Sequence, residues 1–257
     1  ANTDGYFIAT TPSKINWLIL RGFLDDQGKP DTAKTAFKNG LKVYPFAQRS
    51  NPPANTFTNL TGSDVNTIHA NNFKFYEELD EVIQREPSEM FSPELLGMAS
   101  AIGIQKGKPF NPTREQKALL TEAVAIGNAT ARSILFAPQD PKAYIYPGKA
   151  GYWQTGFPGG NHTYLVDGGN GGRDMDGRTL FFYLATVNTP AMVLELPGVG
   201  SQYAFSSRDG SGAYLDGSKT YKVNIPANPP AQRFWSFVVY DPQTRSMLQS
   251  KEMPYPS

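Results

Sequence analysis

The chain has 257 residues, with 24 Lys or Arg against 23 Asp or Glu, a formal net charge of +1, and no cysteine. The even charge balance leaves no electrostatic footprint for nucleic acid or anionic lipid. The absent thiols exclude disulfides, thiolate catalysis and Cys-ligated zinc. Apolar residues make up 39% and charged residues 18%, a globular mixture long enough for two compact domains. Gly 24 and Pro 21 favour turn-rich β structure. No apolar run approaches the ~20 residues of a membrane helix, so no membrane span is expected.

Three textures follow one another. From residue 1 to 50, Tyr6-Phe7-Ile8-Ala9 and Ile15-Asn16-Trp17-Leu18-Ile19-Leu20 read as strands joined by a turn at Thr11-Pro12-Ser13. Asp31 to Lys38 reads as a short helix, with Asp31 as its cap and Gly40 beyond its end. Leu41-Lys42-Val43-Tyr44 resumes as a strand.

From residue 51 to 137 the pattern turns helical. Phe75, Tyr76, Leu79, Val82 and Ile83 share one helical face, and Pro87 ends that helix. Ser92-Pro93-Glu94 combines a hydroxyl cap, a proline at the first helical position and an acid near the positive helix end. Thr113-Arg114-Glu115-Gln116 is a capping box, opening a helix to Phe136 with Leu120, Val124, Ala131 and Leu135 on its buried side.

From residue 138 to 257 strands dominate the reading. They are Tyr152 to Thr155, Thr179 to Val187, Gln202 to Ser206, Thr220 to Ile225 and Phe234 to Tyr240, with turns at Asp209-Gly210 and Asp216-Gly217. Short strands at this spacing predict a β-sandwich or jelly roll. The fold class is therefore α+β, mainly β, with the Phe234-Trp235-Ser236 strand at the centre of the last sandwich.

Candidate chemistry is sparse. His69 and His162 are the only histidines, and no Gly-x-Ser-x-Gly, His-Glu-x-x-His or phosphate-loop pattern occurs. Asp167, Asp174 and Asp176 flank a Gly-rich loop, and a hard divalent cation would want such oxygens. The calcium patterns are incomplete, since Arg173 stands where an acid belongs, and turn aspartates bonding their own backbone are the plainer account. Asp209 has the same two readings.

Asp176-Gly177-Arg178 leads into Leu180-Phe181-Phe182-Tyr183. The charges either anchor that strand or offer Arg178 as a fork for a carboxylate ligand. Trp153, Tyr183 and Tyr203 join Arg178 as candidate ligand contacts, with core packing as the alternative for each aromatic. Two functions remain. One is a protein that binds a small-molecule ligand or a protein partner. The other is a hydrolase using Asp176, Arg178 and His162, with no evident cofactor beyond a possible cation.

One set of motifs occurs in order: Thr189-Pro190-Ala191-Met192, Gly200-Ser201-Gln202-Tyr203, Leu215-Asp216-Gly217 with Thr220-Tyr221, Phe234-Trp235-Ser236, and Tyr240-Asp241 with Thr244-Arg245-Ser246-Met247-Leu248. It resembles the family called domain of unknown function 1214. Trp17 to Gly22 and Leu41 to Phe46 resemble the end of domain of unknown function 1254, its usual companion. Ile102-Gly103-Ile104 and Lys106-Gly107-Lys108-Pro109-Phe110 resemble the helical linker.

The resemblance implies a partial immunoglobulin-like sandwich over 1–50, a helical domain over 51–137 and a jelly roll over 138–257. It also implies export, to the periplasm or the medium. Family domains extend beyond both ends of this chain, so the resemblance implies that a companion chain or further segments of the same protein supply missing strands.

Overall fold

The computed structural model describes residues 8–60, 63, 66, 68–185, 202–231 and 235–248. They fall into two units, Ala1–Asn66 with Asp80–Pro109, and Thr67–Leu79 with Phe110–Ser257. Five α-helices organise them: α1 (Asp31–Gly40), α2 (Lys74–Arg85), α3 (Pro93–Ala101), α4 (Arg114–Phe136) and α5 (Met175–Leu184).

In the first unit the chain is pinned at the end of α2. The Lys106 ammonium donates to the carbonyls of Ile83, Gln84 and Glu86 at 3.0, 3.0 and 2.6 Å, which fills acceptors that a helix end leaves open. Gln84 meets the same loop, donating to the Gln105 carbonyl and accepting from the Gly107 amide. The Glu86 carboxylate is almost inaccessible and accepts from the Lys14 and Ile15 amides at 2.7 and 3.1 Å. The bond from Lys14, above all, holds its pKa below the usual carboxylate range.

The capping signals act as the chemistry requires. Ser92 accepts from the Leu95 amide to start α3, and Thr113 and Gln116 close their reciprocal box at the head of α4. Asp31 does not cap α1: Pro30 holds the cap position, and Asp31 sits in the first turn, paired with Lys34 at 2.6 Å. Gly22 lies so close to α1 that a Cβ on it would come within 2.6 Å of the Ala33 Cβ.

The mainly-β expectation is overturned. No sheet occurs among the described residues; pairing there is confined to isolated antiparallel bridges such as Tyr144 to Gln154, Gln154 to Phe205, and Tyr240 to Met247. The immunoglobulin-like sandwich and the jelly roll are both absent from the described residues. Val43 shows one reason: its amide and carbonyl bond the Asn55 side chain, at 3.3 and 3.2 Å, instead of a neighbouring strand.

The strand expected at Thr179 to Val187 is a helix over its described part. Asp174 accepts from the Gly177 amide at 2.7 Å and caps α5. Positions Gly177, Leu180, Phe181 and Leu184 then fall at i, i+3, i+4 and i+7, one helical face, and the first three are buried. Tyr6, Phe7, Phe234 and the residues from Thr186 through Ser201 lie outside the described residues, and with them part of three expected strands.

The core of the second unit forms between α4 and α5. Ala131, Leu135, Ala143, Leu180 and Tyr183 are buried together, with Ile134, Phe136 and Phe205 packed against them. Phe181 completes the far side, its ring 4.8 Å from that of Phe157.

Candidate binding site

Where α4 ends and α5 begins, the two helices and the turns after α4 enclose a cleft of about 110 Å³. Ile134, Ala137, Ala143, Pro158 and Leu180 give it an apolar lining, and Asp140 and Asp176 bring carboxylates to it. One Asp140 oxygen accepts from the Lys142 amide at 2.8 Å and shapes the turn over 141–143. Asp176 stands in the first turn of α5, where the helix dipole favours a negative charge. An apolar cleft with carboxylate at its rim suits a small group that is cationic or rich in N–H donors.

Of the residues named from sequence, the cleft gathers Asp176 alone. Arg178 is exposed on α5, two residues further along, and His162 is half-buried ahead of the Gly-rich loop; neither lines the cleft. Asp174 is committed to the helix cap. Asp167 is exposed with φ of 48°, at a turn where its carbonyl accepts from the Asn170 amide. Among the described residues no three His, Cys, Asp or Glu side chains gather to hold a metal ion.

The aromatic candidates separate. Tyr183 is only 4% exposed and belongs to the core. Tyr203 is 68% exposed. Trp153 is half-buried, with its ring 6.2 Å from that of Phe237.

Sequence reasoning missed a polar cluster at the other end of α5. The His69 ring lies 4.7 Å from Phe182 and 5.7 Å from Tyr183, with Nε2 3.3 Å from the Asn128 side-chain oxygen. Its Nδ1 is buried without a hydrogen-bond partner among the described residues. Burial lowers the His69 pKa, the Asn128 bond opposes that, and the Arg245 charge adds to the lowering. The Arg245 guanidinium donates to the Phe182 and Tyr183 carbonyls at 3.4 and 3.1 Å, where a helix end welcomes a cation. The sequence named His69 only as one of two histidines and Arg245 only within a family motif, with nothing local to join them; the Asp241 carboxylate next to that motif accepts from the Gln243 and Thr244 amides.

Asp209 and Asp216 behave likewise. Each carboxylate folds back on its own turn, onto Ser211 and Ser218 respectively, and those bonds hold both pKa values down.

The comparisons with known proteins belong beside these turns. A family model described as "Protein of unknown function (DUF1214)" matches residues 200–256. That stretch holds the turns at Asp209, Asp216 and Asp241, so the match bears out the later part of the motif resemblance. It does not reach the motif at Thr189 to Met192, the helical-linker motifs or the stretches assigned to the companion domain. No curated protein matches the chain.

Proposed function

We propose that this chain is a binding protein whose partner is another polypeptide, taken up along the extended aromatic segments near its C-terminal end. The reading rests on one observation. Tyr221, Val223 and Ile225, and again Trp235, Phe237 and Val239, recur at every second position and are all exposed. Period-two apolar spacing suits one face of a strand, and an unpaired strand edge is a template for another chain. Burying one such side chain fully is worth about 1.5–3 kcal/mol. Six together are of the size needed to offset an association cost of about 4–15 kcal/mol. Resemblance to a family with many exported members extends the proposal to a partner met in the periplasm or outside the cell.

Hydrogen exchange tests the reading. In a sample that light scattering gives as a 28.2 kDa monomer, amides of 221–225 and 235–239 should exchange near their intrinsic rates. Protection above ~100-fold in that monomer would overturn the proposal, because those edges would then be satisfied within the chain.

A second reading, a small ligand in the α4–α5 cleft, is favoured by the Asp176 carboxylate at its rim. Titration with methylammonium, followed by backbone amide shifts, checks it. Saturable shifts at Ala137, Gln139 and Gly177 that vanish in Asp176→Asn support it; their absence sinks it.

A further inference from the structure

The Ala137-Pro138-Gln139 segment also lines a second pocket of about 240 Å³, together with Tyr144, Tyr152 and Arg208. Arg208 is half-buried there. Its guanidinium sits 4.0 Å from the centre of the Tyr214 ring and 5.7 Å from that of Tyr152. It donates to the Gly212 carbonyl at 3.0 Å, the Tyr214 hydroxyl at 2.6 Å and the Phe136 carbonyl at 3.5 Å.

All of these acceptors are neutral. Among the described residues no carboxylate pairs with Arg208. The nearest acid in sequence, Asp209, is turned back onto Ser211 and Ala213. The five N–H groups of a guanidinium exceed the three bonds made, so donors remain for a ligand. A partly desolvated cation lacking a counter-ion gains most from an anion, and a planar fork favours a carboxylate.

The walls add a second preference. Tyr144 and Tyr152 bring ring surface to the pocket, and Ala137 and Pro138 bring aliphatic surface. The position of Tyr152 is fixed by backbone with φ of 50°, against Gly212, where a Cβ would collide with the phenol. We infer that this pocket is a binding site for a small organic carboxylate with a flat apolar body, its charge met by Arg208 and its body by the tyrosine rings.

The probe is benzoate, with benzamide as its neutral isostere, titrated into the full chain and followed by backbone amide shifts. Saturable shifts at Ala137, Gln139, Tyr144, Tyr152 and Arg208 are expected with benzoate, and at least tenfold weaker binding with benzamide. Arg208→Gln should abolish the benzoate shifts. Arg208 also ties Phe136 and Gly212, so a misfolded variant is conceivable; the benzoate and benzamide pair decides the matter on the unaltered chain. Equal binding of the two probes overturns the inference, as does no saturation with benzoate up to about 20 mM, well beyond millimolar affinity.

Discussion

Leu180-Phe181-Phe182-Tyr183 and Trp235-Ser236-Phe237-Val238-Val239-Tyr240 are apolar runs of similar composition that take different forms. The first lies inside α5, with Leu180 1% exposed. The second forms neither helix nor sheet, and Trp235 and Val239 are 52% and 56% exposed. The aromatic residues of both runs, and the β-branched valines of the second, favour a pleated surface. What differs is where the backbone finds its bonds. A helix satisfies its amides within itself once a cap such as Asp174 starts it, whereas a strand needs a neighbour. Among the described residues 235–238 have no such neighbour, and pairing begins only at Val239, whose carbonyl accepts from the Leu248 amide at 2.9 Å beside the Tyr240–Met247 bridge.

The largest expected effect follows from that contrast. Leu180→Ala removes a side chain from between α4 and α5 and should cost about 2–5 kcal/mol. Val239→Ala, in the isolated chain, should cost under about 0.5 kcal/mol. Urea unfolding of both variants measures the difference. Comparable losses would break the contrast, because Val239 would then be packed as Leu180 is.

The two runs also mark how far the fold was legible in the sequence. Ser92, Thr113 and Gln116 were readable because a cap and the amides it serves lie within three residues. The turns at Asp209 and Asp216 were readable for the same reason. Asp174-x-x-Gly177 carried the same kind of signal for α5. It was outweighed by the β preference of Phe and Tyr, and Asp174 was read as a turn aspartate rather than as a helix cap. Bonds across long separations were not legible. Glu86 to Lys14, Arg245 to Tyr183 and Arg208 to Phe136 join residues more than 60 apart, and no local pattern announces such pairs. The candidate site was legible only in Asp176, because the cleft depends on where α4 ends against α5.

The cap gives the next effect in size. Asp174→Ala leaves the Gly177 amide without its acceptor and should cost about 1 kcal/mol, while Asp174→Asn, which keeps an acceptor oxygen, should cost little. Thermal unfolding followed by far-ultraviolet circular dichroism reads both. If Asp174→Ala is neutral, the cap does not decide between helix and strand, and packing against α4 alone separates the two runs.

The smallest effect concerns the edge of α5 that His69 covers. Phe182 is the partly exposed aromatic of that run, and the imidazole lies against it. Burial, the larger cause, and the Arg245 charge both depress the His69 pKa below its usual 6.5. A depressed pKa in the folded state means that the unfolded chain takes up the proton first as pH falls. The neutral ring therefore contributes its stability in full above about pH 6.5 and loses it as pH drops through the lower folded value. Proton NMR titration checks the sign directly. With His162 the only other histidine, His69→Gln assigns both resonances. The His69 midpoint should lie below 6.5 and rise in Arg245→Ala, which removes the neighbouring charge. A midpoint returned to 6.5 would mean that water reaches the ring. The aromatic face of α5 would then be open at that end, and much closer in character to 235–239 than the packed helix drawn here.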